Sequence, residues 1–239
     1  MQSRDASTSY DEVIKVAIIG PEGSGKSCLV QRFVDGSFAP ADTLPTVGVD
    51  FRIHNAPADG IRTRMHLWDT TGSPRLSKIT HAYYRVAHAI VIAYDASNAS
   101  DDLAQVGVWL ETVREYASST VAVVLVGTKA DALTDEEQVR LKTRADTLAR
   151  RAGIPHVLTS AARGTGIEAC FAAVAREVRS SGPRASVGRR ASLGKLPYHV
   201  AVGKENESLS SSIQSASLAF YLSSCCMPWL QAATADIKE

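Results

Sequence analysis

The stretch Gly20-Pro21-Glu22-Gly23-Ser24-Gly25-Lys26-Ser27 fits the pattern G-x-x-x-x-G-K-[ST] and directly follows an apolar, β-branched run. Glycines let a backbone wrap closely, so that successive N–H groups face a phosphate chain. In this pattern Lys26 reaches the β- and γ-phosphates and Ser27 binds Mg2+. A helix starting here adds the positive end of its dipole. Gly20, Glu22, Gly23, Ser24, Gly25 and Cys28 complete the expected contact set. The chemistry is nucleoside triphosphate binding, with the base still open.

A second constellation selects the base. Thr128-Lys129-Ala130-Asp131 follows another apolar run. The Asp131 carboxylate can accept two hydrogen bonds from the N1–H and exocyclic amine of guanine, and adenine offers no such donor pair on that edge. Ser160-Ala161-Ala162 follows the next strand-like run, where a backbone N–H can meet the guanine carbonyl. In this order after a phosphate loop, these segments point to GTP and GDP, with Mg2+, as ligands.

With these motifs the sequence resembles a Ras-superfamily small GTPase, and most closely the Rab branch, over roughly Val13 to Arg179. Thr46-Val47-Gly48-Val49-Asp50-Phe51 is similar to T-I-G-V-D-F, and Trp68-Asp69-Thr70-Thr71-Gly72 to W-D-T-A-G. Tyr83-Tyr84-Arg85-Val86-Ala87 is similar to Y-Y-R-G-A, and Ile92-Ala93-Tyr94-Asp95 to I-V-Y-D. The resemblance implies that Thr46 closes on Mg2+ and the γ-phosphate, that Asp69 holds Mg2+ through water, and that the Gly72 N–H meets the γ-phosphate. It implies that Phe38 stacks on the guanine, and that Phe51, Trp68 and Tyr83 form the aromatic trio read by effectors. Thr128 stands where Rab proteins usually carry Asn, although Rho proteins carry Thr there. Ala162 replaces the usual Lys of S-A-K. Implied partners are effector proteins, an exchange factor and a GTPase-activating protein, with the chain itself a monomer. The implied location is the cytoplasm, at the cytosolic face of endomembranes.

Two departures fall beside the γ-phosphate. The Gln that orients the attacking water in D-T-A-G-Q-E is replaced by Ser73, and Pro74 follows it. A serine hydroxyl is about two bonds shorter than the glutamine amide and lacks its paired donor and acceptor. Pro74 stiffens a segment that must rearrange. Glu22 puts a carboxylate where the family has a small residue. Slow GTP hydrolysis is expected, with a largely GTP-locked binding scaffold as the alternative. A P-loop kinase or ATPase is a third reading, against which Asp131 argues.

These motifs must sit at the ends of strands. Strands are expected near Val13–Gly20, Val49–Asn55, Ile61–Trp68, Ala89–Tyr94, Val121–Gly127 and His156–Thr159. Helices are expected near Lys26–Val34, Asp101–Tyr116, Asp135–Ala152 and Ile167–Arg179, with Thr134 and Glu137 at capping-box spacing. The runs Ala89–Tyr94 and Val121–Gly127 are almost continuously apolar, as strands buried on both faces require. The expected fold is α/β: a P-loop NTPase with a six-stranded, mostly parallel sheet, helices on both faces and one antiparallel edge strand. The antiparallel edge follows from the turn residues Pro57, Asp59 and Gly60 between two strands.

The expected domains are a flexible N-terminus over 1–12, a GTPase domain over 13–179 and a flexible tail over 180–239. The chain has 239 residues, 26 Lys and Arg against 25 Asp and Glu, and four Cys. A net charge of +1 excludes a protein that grips nucleic acid by electrostatics. The Cys pattern excludes a disulfide scaffold and gives no zinc spacing. Met1 to Glu12 is polar and reads as no signal peptide. In the tail, Arg189-Arg190-Ala191-Ser192-Leu193 resembles a basophilic-kinase site with Ser192 as acceptor. Cys225-Cys226 resembles the prenylated pair of Rab tails, but 13 residues follow it and the last four, Asp236-Ile237-Lys238-Glu239, form no C-a-a-X box. Leu209 to Ala235 carries no charge and reads either as an interfacial segment acylated at Cys225 and Cys226, giving peripheral membrane association, or as disorder.

Overall fold

A computed structural model describes residues 10–39, 46–73 and 77–181. The expected sites at Pro74, Ser192, Cys225 and Cys226 lie outside these residues, as does nearly all of the tail. Six strands form one sheet in the order β2-β3-β1-β4-β5-β6. They are β1 (Glu12–Ile19), β2 (Val49–Ala58), β3 (Ile61–Thr70), β4 (Ala89–Asp95), β5 (Ala122–Thr128) and β6 (His156–Leu158). All neighbouring pairs are parallel except β2 with β3, which run antiparallel through the turn at Asp59 and Gly60. The helices are α1 (Lys26–Asp35), α2 (Ser77–Tyr84), α3 (Ala99–Tyr116), α4 (Asp135–Ala152) and α5 (Ile167–Ser181).

The alternation of strand side chains builds two cores. Ile14, Val16 and Ile18 of β1, with Met65, Leu67, Val91, Val124 and Val126, pack against Leu29 and Phe33 of α1 and Phe171 and Val174 of α5. Ala17, Ile19, Ile90, Ile92, Tyr94 and Leu125 face the opposite side, against Leu103, Val106 and Val113 of α3 and Leu141, Ala145 and Ala149 of α4. Because both faces are covered, β4 is buried along its length apart from Asp95. That is the continuous apolar run its sequence displays. Phe33 and Phe171 stack with ring centroids 3.7 Å apart, joining α1 to α5.

Several boundaries differ from the sequence reading. The antiparallel pair is longer at both ends, because Val49 pairs with Thr70 and Ala58 with Ile61. Glu12 belongs to β1 and is buried, accepting from the Thr63 hydroxyl at 2.6 Å and from Arg179 at 2.8 Å. Asp11 accepts from Arg62 at 2.8 Å, so ordered structure begins before Val13. The last helix continues through Ser180 to Ser181. Helix α2 was not anticipated. It is only eight residues long and has two tyrosines at its end, so it carries little periodic signal. The capping box forms as its spacing implied. Thr134 accepts from the Glu137 N–H at 3.3 Å, and Glu137 accepts from the Thr134 N–H at 2.8 Å.

Burial holds five histidines, His54, His66, His81, His88 and His156, below the usual histidine range. Each therefore binds its proton more weakly folded than unfolded. The unfolded state takes up protons first as the pH falls below about 6.5, so stability is lost in that window. Thermal unfolding of the nucleotide-loaded protein should show Tm lower by at least about 3 °C at pH 5.5 than at pH 7.5. A Tm that stays level or rises would show that these histidines are not buried as described.

Candidate nucleotide-binding site

The parallel strands bring the motifs to one edge. Ile18, next to the end of β1, pairs with Asp69 of β3, so the loop Gly20–Gly25 and the Asp69–Gly72 segment leave the sheet side by side. On the other flank Tyr94 of β4 pairs with Gly127 of β5, which pairs with Leu158 of β6. The segments beginning at Gly20, Asp69, Thr128 and Ser160 thus emerge together, in the crevice at the carboxyl ends of strands where open α/β sheets place ligands.

In the glycine-rich loop the Lys26 ammonium donates to the Gly20 carbonyl at 3.0 Å and the Pro21 carbonyl at 2.7 Å. It is buried, and burial pushes its pKa down to about 8 against the pull of Asp69, Glu22 and Asp102. Glu22 and Gly23 are exposed, while Ser24 is buried and Gly25, Ser27 and Cys28 are half-buried. Lys26 is thus a desolvated cation beneath a loop of backbone donors, an arrangement that favours a polyanion.

Ser27, Thr46 and Asp69 converge from α1, the segment before β2 and the end of β3. The Ser27 and Thr46 hydroxyls lie 2.8 Å apart. Both reach Asp69 Oδ2, Ser27 at 2.5 Å and Thr46 at 3.4 Å. Asp69 is 3% exposed, and its Oδ1 has no hydrogen-bond partner among the described residues. Burial pushes this carboxyl up, against the Ser27 hydroxyl and Lys26, which pull it down. Two hydroxyls and a desolvated carboxylate with an unsatisfied oxygen fit a hard divalent cation, which takes oxygen ligands and would offset the buried charge.

Gly72 approaches the phosphate loop closely. A Cβ at this position would lie 2.2 Å from the Glu22 nitrogen and 2.6 Å from the Glu22 Cα, so only glycine fits here. The segment is held by Thr71, whose N–H donates to the Gly48 carbonyl at 2.8 Å, and by Ser73, whose N–H donates to the Thr71 hydroxyl at 3.2 Å. Glu22 is thus the residue whose backbone Gly72 approaches, and Ser73 follows Gly72 directly.

The base-reading segments are tied to the phosphate loop and to each other. The buried Thr128 hydroxyl lies 2.5 Å from the Ser24 carbonyl and 3.0 Å from the Tyr94 carbonyl. Lys129 has a left-handed backbone (φ 55) and pairs with Asp95 at 2.6 Å. The Ser160 hydroxyl donates to Asp131 Oδ1 at 2.5 Å, and the Ser160 N–H donates to the Thr165 carbonyl at 2.9 Å. Ala161 and Ala162 lie in the turn this bond closes, Ala161 half-buried and Ala162 exposed. Phe38 is half-buried just beyond α1 and is not part of this hydrogen-bonded framework. The sequence reading gave no role to Asp95. Its signal was a carboxylate at the end of a buried strand, with Lys129 needing a countercharge.

Phe51 of β2 and its register partner Trp68 of β3 have ring centroids 6.3 Å apart, and Trp68 and Tyr83 are 5.4 Å apart. The structure thus brings the aromatic trio together. Its members differ in exposure: Phe51 is 45% exposed and Trp68 only 7%.

The family model described as Ras family matches residues 15–180 of the chain. Among curated proteins, the Ras-related protein Rab-37 of Homo sapiens is 39% identical over 178 residues, covering 74% of this chain and 78% of that protein. The Ras-related protein Rab-26 of Homo sapiens is 40% identical over 177 residues, covering 74% and 68%. Its Rattus norvegicus counterpart is 38% identical over 176 residues, covering 74% and 67%. The phosphate-loop and aspartate motifs on one sheet edge, the strand order and these matches agree, and the chain belongs to the Ras family as a Rab-type small GTPase.

Proposed function

We propose that this protein is a guanine-nucleotide switch of vesicle and membrane traffic that hydrolyses GTP more slowly than Rab proteins carrying the water-orienting Gln. The reading is supported by the close approach of the Gly72 backbone to that of Glu22, Ser73 being the residue that follows Gly72. In this reading Gly20, Glu22, Gly23, Ser24, Gly25, Lys26, Ser27 and Cys28 wrap the phosphates. Thr128, Lys129, Asp131, Ser160, Ala161 and Ala162 hold the guanine, with Phe38 against its ring. Ser27 and Thr46 would ligate Mg2+, with Asp69 acting through water. When bound, that ion neutralises charge on the β- and γ-phosphates.

Residues 13–179 form the proposed GTPase domain. When Thr46 and Gly72 hold the γ-phosphate, their segments order together, and loss of that phosphate releases them. Phe51, Trp68 and Tyr83, between these segments, form the proposed effector surface, since aromatic side chains make good interface anchors. An exchange factor and a GTPase-activating protein would set the timing. Among the described residues no helix is long and apolar enough to cross a membrane. The uncharged tail segment and its paired cysteines support peripheral attachment through Cys225 and Cys226 or a segment near them, with Ser192 as a phosphorylation site.

Slow turnover follows from what a water-orienting group must do. It has to orient one water in line with the γ-phosphate. The Ser73 hydroxyl is too short to span the distance a glutamine amide covers, and the Glu22 carboxylate adds charge where an arginine finger would enter. Single-turnover hydrolysis of GTP should rise about tenfold in Ser73→Gln, and further with Glu22→Ser added. A wild-type rate equal to that of Gln-bearing Rab proteins would refute the proposal. The double variant remaining as slow as wild type would favour the locked scaffold.

The cation site gives a separate test. Asp69→Asn keeps the shape of the side chain and removes its charge. The Mg2+ concentration needed to slow GDP dissociation should rise about 10–100-fold. An unchanged Mg2+ requirement would remove Asp69 from the cation's surroundings.

A further inference from the structure

Tyr94 carries a hydrogen-bond chain that runs across the sheet beneath the base site. Its register partner on β5 is Gly127, and an added Cβ there would lie 2.6 Å from both the Tyr94 hydroxyl and Leu158 Cδ2. The absence of a side chain at Gly127 lets the Tyr94 ring cross β5 and reach β6. There its hydroxyl meets His156 Nε2 at 2.9 Å, with the two rings stacked. His156 Nδ1 lies 2.7 Å from Asp146 Oδ1 on α4, and Lys142 donates to Asp146 Oδ2 at 2.6 Å. The His156 side chain is 1% exposed. Burial holds His156 below the ordinary histidine range and pushes the Tyr94 phenol up. The arrangement that satisfies every partner is Nδ1–H donating to Asp146 and Nε2 accepting from Tyr94.

Two members of this chain, Tyr94 and His156, lead to the base site. The Tyr94 carbonyl accepts from Thr128, whose hydroxyl also reaches Ser24 in the phosphate loop. From His156 the strand runs on to Thr159, whose N–H donates to the Gly127 carbonyl at 2.7 Å, and to Ser160, whose hydroxyl holds Asp131. We propose that Tyr94, His156 and Asp146 act as positioning residues that fix the Asp131 carboxylate against the guanine and so set base selectivity and nucleotide residence time. This rests on the reading of Asp131 as the base contact. The ionisable groups facing His156 are Tyr94 from β4 and Asp146 and Lys142 from α4. Protonation of Nε2 turns it from acceptor to donor and leaves the Tyr94 hydroxyl without its acceptor.

The test uses the full chain with Mg2+ and fluorescent GDP or IDP, because IDP lacks the exocyclic amine that Asp131 would accept from. In Tyr94→Phe and His156→Gln, the ratio of GDP to IDP residence times should narrow about fivefold, while exposed Arg140→Ala on α4 leaves it unchanged. Equal acceleration for GDP and IDP, or unchanged residence times in both variants, would overturn the relay. Asp131→Asn separates the two readings. If it weakens GDP binding while the relay variants do nothing, only the relay fails. If it binds GDP as tightly as wild type, the base reading beneath it fails as well.

Discussion

Everything functional in this molecule depends on one constraint: the parallel pairing of β1 with β3 and β4, and of β5 with β4 and β6. Parallel strands end on the same side. The pairing of Ile18 with Asp69 is what sets the Asp69 carboxylate beside a glycine loop from earlier in the chain. Antiparallel pairing at that position would send Asp69 to the opposite edge. The antiparallel β2 serves a different purpose, carrying Thr46 and Gly48 back toward the same edge, where the Gly48 carbonyl receives the Thr71 N–H. The crevice is therefore a consequence of strand direction, and the loops supply the chemistry.

Within that crevice two hydroxyls do much of the fastening. Thr128 joins the base segment to the phosphate loop through Ser24, and Ser160 holds one oxygen of Asp131. A threonine in place of the Asn usual in Rab proteins thus still bridges the two halves of the site. The buried charges are compensated within the site. Lys26 sits over two carbonyls, and Lys129 is paired with Asp95. Asp69 alone keeps an unsatisfied buried oxygen among the described residues, and a group of that kind is costly unless a ligand answers it.

The sequence made the local parts of this site legible. The phosphate loop follows from glycine and lysine spacing over eight residues, and both base segments follow from their places after apolar runs. The buried strands were legible because their apolar runs are uninterrupted, and α4 because its cap is written at a fixed offset. What escaped were features made by convergence. The Tyr94–His156 contact requires three strands in register and a glycine between them, and no spacing rule encodes that. Helix α2 escaped because eight residues ending in Tyr83-Tyr84 are too few to show a period. The substitutions at Glu22 and Ser73 were visible only against a family pattern.

The central claim is that this switch stays on because its off-step is impaired at Glu22 and Ser73. The most direct measurement is the identity of the nucleotide carried by freshly purified protein, released by denaturation and separated by chromatography. The account predicts predominantly GTP. Predominantly GDP would contradict it and mark an ordinary Rab-type cycle.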